Sequence, residues 1–89
     1  MELETLIQKR LEGGGSLDLE NQKIGSEGAA KLSEMKVLVE LKELNLGDNE
    51  IGDEGVNSLA KSPHLSSLKI LNLKSNNITS KGAAALAGS

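Results

Sequence analysis

The sequence predicts an α/β fold in which three short parallel strands alternate with helices. The first observation is an internal repeat: the segment 41–60 returns 27 residues later at 68–87, and a weaker copy begins 27 residues earlier, at residue 14. The second is that each copy opens with alternating leucines, typical of a strand, and closes with the three- and four-residue spacing of a helix. About three such units are needed to bury a continuous core, and the chain contains three.

The residues ahead of the repeats predict one more helix. Their apolar positions follow the spacing of an amphipathic helix: Leu3, Leu6, Ile7 and Leu11. We therefore expect residues 1–13 to form an N-terminal capping helix and residues 14–89 to form three repeats of 27-residue period in a single domain. The glycines at 13–15 are interpreted as a helix-to-strand turn, because a dinucleotide-binding loop needs a strand before its glycines and a helix after them.

Alternation within each strand separates an inward wall from an outward face, because successive strand residues point to opposite sides of a sheet. The inward positions are all leucine: Leu17, Leu19, Leu44, Leu46, Leu71 and Leu73. The outward positions are mostly polar: Ser16, Asp18, Glu20, Glu43, Asn45, Gly47, Ile70, Asn72 and Lys74. From the first strand to the third, the outward face changes from acidic to basic. Gly47 leaves a gap in the middle of it.

The turn after each strand carries a polar residue: Gln22, Asn49 and Asn76. An inward asparagine must find partners, so we expect it to bond backbone groups left open by the turn, with successive asparagines forming a ladder. Gln22 is one methylene longer and fits this role less well, which predicts a looser first turn. The isoleucines two residues later are expected to fill the core beneath each turn: Ile24, Ile51 and Ile78.

Each helix is predicted to begin near a residue that makes a good N-cap. These residues are Ser26, Asp53 and Ser80. Glycine recurs two residues further on, at Gly28, Gly55 and Gly82. Glycine inside a helix costs about 1 kcal/mol relative to alanine. Its threefold recurrence therefore predicts a close approach of each helix start to the backbone of its neighbour.

These residues resemble the leucine-rich repeat family, and within it the ribonuclease-inhibitor-like class. The pattern L-x-x-L-x-L-x-x-N, followed by isoleucine and glycine, extends over about residues 14–89. The chain departs from it in three ways: the period is slightly short, Gly14 replaces the first leucine, and Gln22 replaces the first asparagine. The resemblance implies a right-handed solenoid with helices on its convex side. It also implies a concave parallel sheet that recognises other proteins.

Composition narrows the function further. The 89 residues carry a net charge of −3 with acids and bases interspersed, whereas nucleic-acid binding requires a clustered basic surface. The absence of cysteine excludes disulfides and thiolate metal sites, and no aromatic ring is available for base stacking. No segment has the apolar length of a membrane span, and the N-terminus lacks a signal-peptide pattern. We therefore expect a cytoplasmic protein without cofactors.

No residue pattern indicates catalysis. His64 is the one histidine and is interpreted as an ordinary loop residue, because the repeat places no nucleophile and orienting acid beside it. An acidic run superficially resembles a calcium loop, but the twelfth position, which should be a bidentate acid, is Leu59. The acids of this run are Asp48, Glu50, Asp53 and Glu54. We predict neither an enzyme nor a metal site.

The sequence therefore favours a protein–protein interaction module whose partner it does not identify. The residues expected to contact that partner lie on the concave face: Asp18, Glu43, Asn45, Ile70, Asn72 and Lys74. The alternative is a structural element: a minimal or designed solenoid, or a fragment of a longer repeat protein, whose role is assembly. In that case the uncapped C-terminal end would form a homo-oligomer through its apolar residues. These are Leu71, Leu73, Ile78 and Leu86.

Overall fold

The computed structural model describes residues 2–11 and 15–88, and it confirms the predicted order of helices and strands. The predicted glycine turn lies mostly outside the described residues, which include only Gly15 of the three glycines. A short 3₁₀ helix, Lys36–Leu38, precedes the second strand. The helices and strands are α1 (Leu3–Arg10), β1 (Ser16–Asp18), α2 (Gly25–Ser33), β2 (Glu43–Asn45), α3 (Gly52–Ala60), β3 (Ile70–Asn72) and α4 (Ser80–Ala87).

The three strands form one parallel sheet in the order β1–β2–β3. Its register reproduces the sequence period, because Ser16 pairs with Glu43 and Glu43 with Ile70. Each crossover between neighbouring strands contains a helix, and α2, α3 and α4 pack side by side in the same order. Within each repeat, therefore, a strand and a helix enclose the core between them.

The inward leucines are buried in two strands but not in the third. Leu17, Leu19, Leu44 and Leu46 are at most 2 % exposed, as the alternation predicts. The corresponding leucines of the third repeat, Leu71 and Leu73, are only half-buried. The difference follows from position, since β3 is an edge strand and the described chain has no fourth strand to cover it.

Asn49 is completely buried and closes the turn of the repeat before its own. Its Oδ1 accepts hydrogen bonds from the backbone amides of Gln22, at 2.8 Å, and Ile24, at 3.2 Å. Its Nδ2 donates to the carbonyls of Leu19, at 2.8 Å, and Gly47, at 3.0 Å. The side chain thus provides a partner for the amides of Gln22 and Ile24 and for the Leu19 carbonyl, and it adds a second bond to the Gly47 carbonyl.

Asn76 repeats this arrangement one unit later. Its Oδ1 accepts from the amides of Asn49, at 2.8 Å, and Ile51, at 3.2 Å, and its Nδ2 donates to the carbonyl of Leu46 at 2.7 Å. The predicted ladder is confirmed, with the added finding that each asparagine serves mainly the preceding turn. Gln22 bonds within its own turn, because its Nε2 donates to Glu20 O at 3.1 Å.

The N-cap prediction is wrong for all three repeat helices. Gly25 and Gly52 adopt left-handed φ angles of +69° and +68°, which glycine does without steric cost, and the helices begin at these glycines. Ser26 and Asp53 consequently lie inside the first helical turn, and neither acts as an N-cap. Ser80 is also inside its helix, because Thr79 is the cap of α4 and accepts from the amide of Lys81.

The recurring glycines do mark close approaches. A Cβ on Gly55 would lie 2.5 Å from Cγ2 of Ile51 in its own repeat and 3.3 Å from the Cα of Ser26, so the predicted approach to a neighbouring backbone is present there but is not the tightest contact. At Gly82 the neighbouring group is instead a side chain, since a Cβ there would lie 2.5 Å from Oδ1 of Asp53. At Gly28 the clash would be with Ile24 of its own repeat, at 2.6 Å.

Candidate functional site

The outward side chains of the three strands form one continuous surface, which we call the open sheet face. The strand register aligns its columns as predicted. All of its residues are exposed except Asn45, which is half-buried. A shallow depression of about 340 Å³ crosses it from β1 to β3. The face consists of Ser16, Asp18, Glu20, Glu43, Asn45, Ile70, Asn72 and Lys74.

Asn45 lies at the centre of this face and is held between two carboxylates. Its Nδ2 donates to Oδ1 of Asp18 at 3.1 Å and to Oε1 of Glu20 at 3.0 Å. Its Oδ1 accepts from the amide of Gly47 at 3.0 Å. These three bonds use both ends of the amide, so the side chain has a fixed orientation in the middle of the surface.

The β1 side of the face is acidic. Asp18 and Glu20 lie on one side of Asn45, and Glu43 accepts a hydrogen bond from the Ser16 hydroxyl at 3.3 Å. This half of the face can therefore attract cationic groups.

The β3 side combines an apolar side chain with a basic one. Ile70 is 57 % exposed, the largest value among the exposed large apolar side chains of the described chain. Lys74 follows on the same side, and its amide donates to Oδ1 of Asn72 at 2.9 Å. The predicted change from acidic to basic across the strands is present in the arrangement of these residues.

The expected gap at Gly47 is closed. Gly47 is buried, and a Cβ placed on it would lie 3.3 Å from Oδ1 of Asn45 and 3.6 Å from Cγ of Glu20. The side-chain amide of Asn72 would lie 3.7 Å away on the other side. Neighbouring polar side chains therefore fill the space that the missing side chain leaves.

The residues predicted for self-association lie together at the β3 edge. Leu71, Leu73, Ile78 and Leu86 are all half-buried and pack against the core from this side. A groove of about 500 Å³ is lined by two of them, Leu71 and Leu86, together with Leu65 and Leu68. The two sets of predicted contact residues therefore lie on two different surfaces, the open sheet face and the β3 edge.

The residues considered for chemistry do not converge. The backbone amide of His64 donates to the Ser62 hydroxyl at 3.1 Å, in the loop after α3. Asp48 and Glu50 are exposed in the turn before α3. Among the described residues, no three His, Asp or Glu side chains are grouped to hold a metal ion. None of the described helices is long and apolar enough to cross a membrane.

Sequence reasoning missed a link between the second and third repeats. The Asp53 carboxylate accepts from the hydroxyl and the amide of Thr79, the latter at 2.8 Å, and from the amide of Gly82 at 3.1 Å. The hydrogen bond from the Thr79 hydroxyl is the main cause of a lowered pKa for Asp53, and the backbone bond from Thr79 adds to it. The available signal was Thr79 itself, which replaces the glycine found at the equivalent positions 25 and 52.

Comparison with known proteins gives one match. A leucine-rich repeat family model matches residues 41–60 and 64–87, which contain the second and third repeats. No curated protein and no solved structure shows significant similarity to the chain.

Proposed function

Because the second and third repeats are leucine-rich repeats, a type of unit that generally mediates protein–protein interaction, we propose that this chain binds another protein through its open sheet face. In this proposal the chain is a short right-handed solenoid of the ribonuclease-inhibitor-like class. Residues 1–13 cap it and residues 14–89 form its three repeats. Leucine-rich repeats are typically not enzymes, and the chain would act by recognition alone.

One observation carries the proposal: the open sheet face presents oriented polar groups on a rigid backbone. Asn45 is fixed by three hydrogen bonds, and the strands beneath it rest on leucines that are at most 2 % exposed. A surface that is already ordered loses little conformational entropy on binding. The acidic β1 side favours a partner with a basic segment there, and Ile70 offers an apolar contact beside β3.

The experiment compares proteins retained from the native source by the wild-type chain and by two variants. Glu43→Lys reverses a charge on the open sheet face. Glu54→Lys makes the same change at an exposed position of α3, on the opposite side of the molecule. We expect a partner that wild type and Glu54→Lys retain and Glu43→Lys loses. A partner lost equally from both variants, or from neither, would contradict binding at this face.

A second function is favoured by the half-buried leucines at the β3 edge. We propose as the alternative that the chain is a structural element that assembles through Leu71, Leu73, Ile78 and Leu86. Burying this apolar edge against another chain would supply the driving force. Sedimentation over a range of concentrations tests it, because a compact monomer at the highest concentration contradicts assembly.

A further inference from the structure

The two outer edges of the sheet differ in how their backbone groups are bonded. In the interior, the carbonyl of Asn45 accepts from the Leu19 amide of the preceding repeat at 2.8 Å. The equivalent carbonyl in β1 belongs to Asp18, and no strand precedes β1 within the described residues. Arg10 takes that place, since its Nη1 donates to Asp18 O at 3.1 Å.

Gln22 bonds the next outward-facing carbonyl of the same edge, two residues after Asp18. Glu20 O occupies the position of Gly47 O, which accepts from the Asn21 amide of the preceding repeat at 2.9 Å. At the β1 edge this carbonyl accepts instead from Nε2 of Gln22, at 3.1 Å. Side chains of the chain itself thus bond the carbonyls through which the β1 edge could add a strand, and α1 contacts β1 beside them.

At the β3 edge the open groups are mainly donors, because the Leu73 carbonyl already accepts from Nδ2 of Asn76 at 3.0 Å. In the second repeat, the amides of Leu46 and Asp48 donate forward to β3 and the residues after it, at 2.8 and 2.9 Å. Their counterparts in the third repeat, the amides of Leu73 and Ser75, have no acceptor within residues 2–11 and 15–88. An edge with open amides is a template for pairing with another strand.

The surface beside these amides has an equivalent in each of the first two repeats, where the next repeat covers it. Leu17 and Leu44 are buried because a further strand lies beside each of them, whereas Leu71 is half-buried. The β3 edge therefore continues an interface that the molecule already forms twice. This edge combines half-buried leucine side chains with backbone amides that have no acceptor among the described residues.

We propose that the β3 edge pairs with the β3 edge of a second copy, antiparallel and about a twofold axis; this rests on the assembly function proposed above. Head-to-tail stacking would direct the open β3 amides at the carbonyls of Asp18 and Glu20, which already accept from Arg10 and Gln22. A twofold axis instead buries the same edge on both copies and closes the assembly as a dimer. An antiparallel pair needs no crossover, so two separate chains can form it.

The register of this pair follows from the direction of the backbone groups. The amide of Ile70 bonds back to β2, at Lys42 O, and the carbonyl of Asn72 accepts from β2, so these two residues face inward along the sheet. Leu71 and Leu73 therefore direct their N–H and C=O groups outward. The amide of Leu73 in one copy donates to the carbonyl of Leu71 in the other. The Leu73 carbonyl, which accepts from Nδ2 of Asn76, uses its second lone pair for the return bond. The two Asn72 residues face each other across the axis.

This register also avoids electrostatic conflict. Lys74 of one copy lies opposite Ile70 of the other, and the central pair is uncharged. Only a short strand segment and a few leucines enter the contact, so the interface is small. We expect weak, concentration-dependent dimers of the kind that small interfaces form.

A cysteine test follows from the central pair, because the chain has no cysteine of its own. Directly opposed residues in a non-hydrogen-bonded antiparallel pair have Cβ atoms about 4.5–5.5 Å apart, close enough for a disulfide after a small adjustment. Asn72→Cys should form a covalent dimer in a glutathione redox buffer. Asp18→Cys is the matched control, since it lies in the same column on the β1 edge and is also exposed.

We expect Asn72→Cys to cross-link at least about tenfold faster than Asp18→Cys, because pre-associated thiols react at a high effective concentration. Equal rates overturn the twofold pairing. A mixture of the two variants gives only Asn72–Asn72 dimers if the pairing is twofold, and mixed dimers if stacking is head-to-tail. Circular dichroism confirms that both variants fold.

Sedimentation of the wild-type chain separates the two levels of the proposal. If it dimerises but Asn72→Cys does not cross-link preferentially, assembly stands and the β3 pairing is overturned. A wild-type chain that stays monomeric at every concentration overturns both. Dimerisation together with preferential cross-linking at residue 72 supports both.

Discussion

Replacing Asn49 by alanine should remove much of the stability of the chain. The substitution leaves the amides of Gln22 and Ile24 without their acceptor, in a turn where Asn49 itself is completely buried. An unsatisfied buried donor costs about 1–3 kcal/mol, so the two amides together cost about 2–6 kcal/mol. The whole chain of 89 residues is stabilised by only about 4–13 kcal/mol at the usual contribution per residue. A large fraction of the total therefore depends on one side chain.

The assay is urea unfolding followed by circular dichroism at 222 nm, because the chain has no aromatic residue to report by fluorescence. Asn57→Ala is the matched control: it makes the same chemical change at an exposed position of α3. We expect the control to shift the unfolding free energy by no more than about 0.5 kcal/mol. If Asn49→Ala is no more destabilising than Asn57→Ala, the proposed role of the asparagine ladder is refuted.

Three further predictions concern single contacts. Gly82→Ala should lower the melting temperature, since its Cβ would lie 2.5 Å from Oδ1 of Asp53, whereas Gly88→Ala, with no neighbour closer than 3.7 Å, should not. Thr79→Val should destabilise the chain at neutral pH, because it removes the hydrogen bond from the Thr79 hydroxyl to Asp53. This bond lowers the pKa of Asp53 in the folded chain. Its contribution to stability is therefore present above the unfolded pKa of about 3.9 and is lost as the pH falls through the lower folded pKa. Thermal melts of both chains from pH 7 to pH 2 should therefore converge, and a constant difference would count against the carboxylate. Ile70→Thr should leave the melting temperature almost unchanged, because the side chain is 57 % exposed, and a large drop would place Ile70 in the core.

The sequence was sufficient for the strands because their period is fixed by the chain itself. Leucines two residues apart, repeated every 27 residues, determine which side of the sheet is buried and which residues pair across it. The ladder of Asn49 and Asn76 was predictable for the same reason, since a polar residue at an inward position must find backbone partners. Each of these inferences depends only on what the copies share.

The contacts that sequence reasoning missed depend on how the copies differ. Aspartate is a residue type that favours the N-cap position, which suggested this role for Asp53. The helix instead begins one residue earlier, at the left-handed Gly52, and the Asp53 carboxylate bonds the next repeat. The sequence suggested that Gln22 fills the role of the asparagines less well, whereas its longer side chain bonds Glu20 O at the sheet edge. Both roles require knowing which neighbour is present, and local propensity carries no such information.

The direction of the asparagine bonds has a consequence for synthesis on the ribosome. Each turn is completed by a side chain that lies about one repeat further along the chain: Asn49 completes the turn at Gln22, and Asn76 completes the turn at Asn49. The first repeat, although it emerges first, cannot close its turn until residue 49 has left the exit tunnel. Translation therefore delivers each unit before the residue that completes it, and a pause between the repeats would prolong the lifetime of an open, incompletely bonded turn.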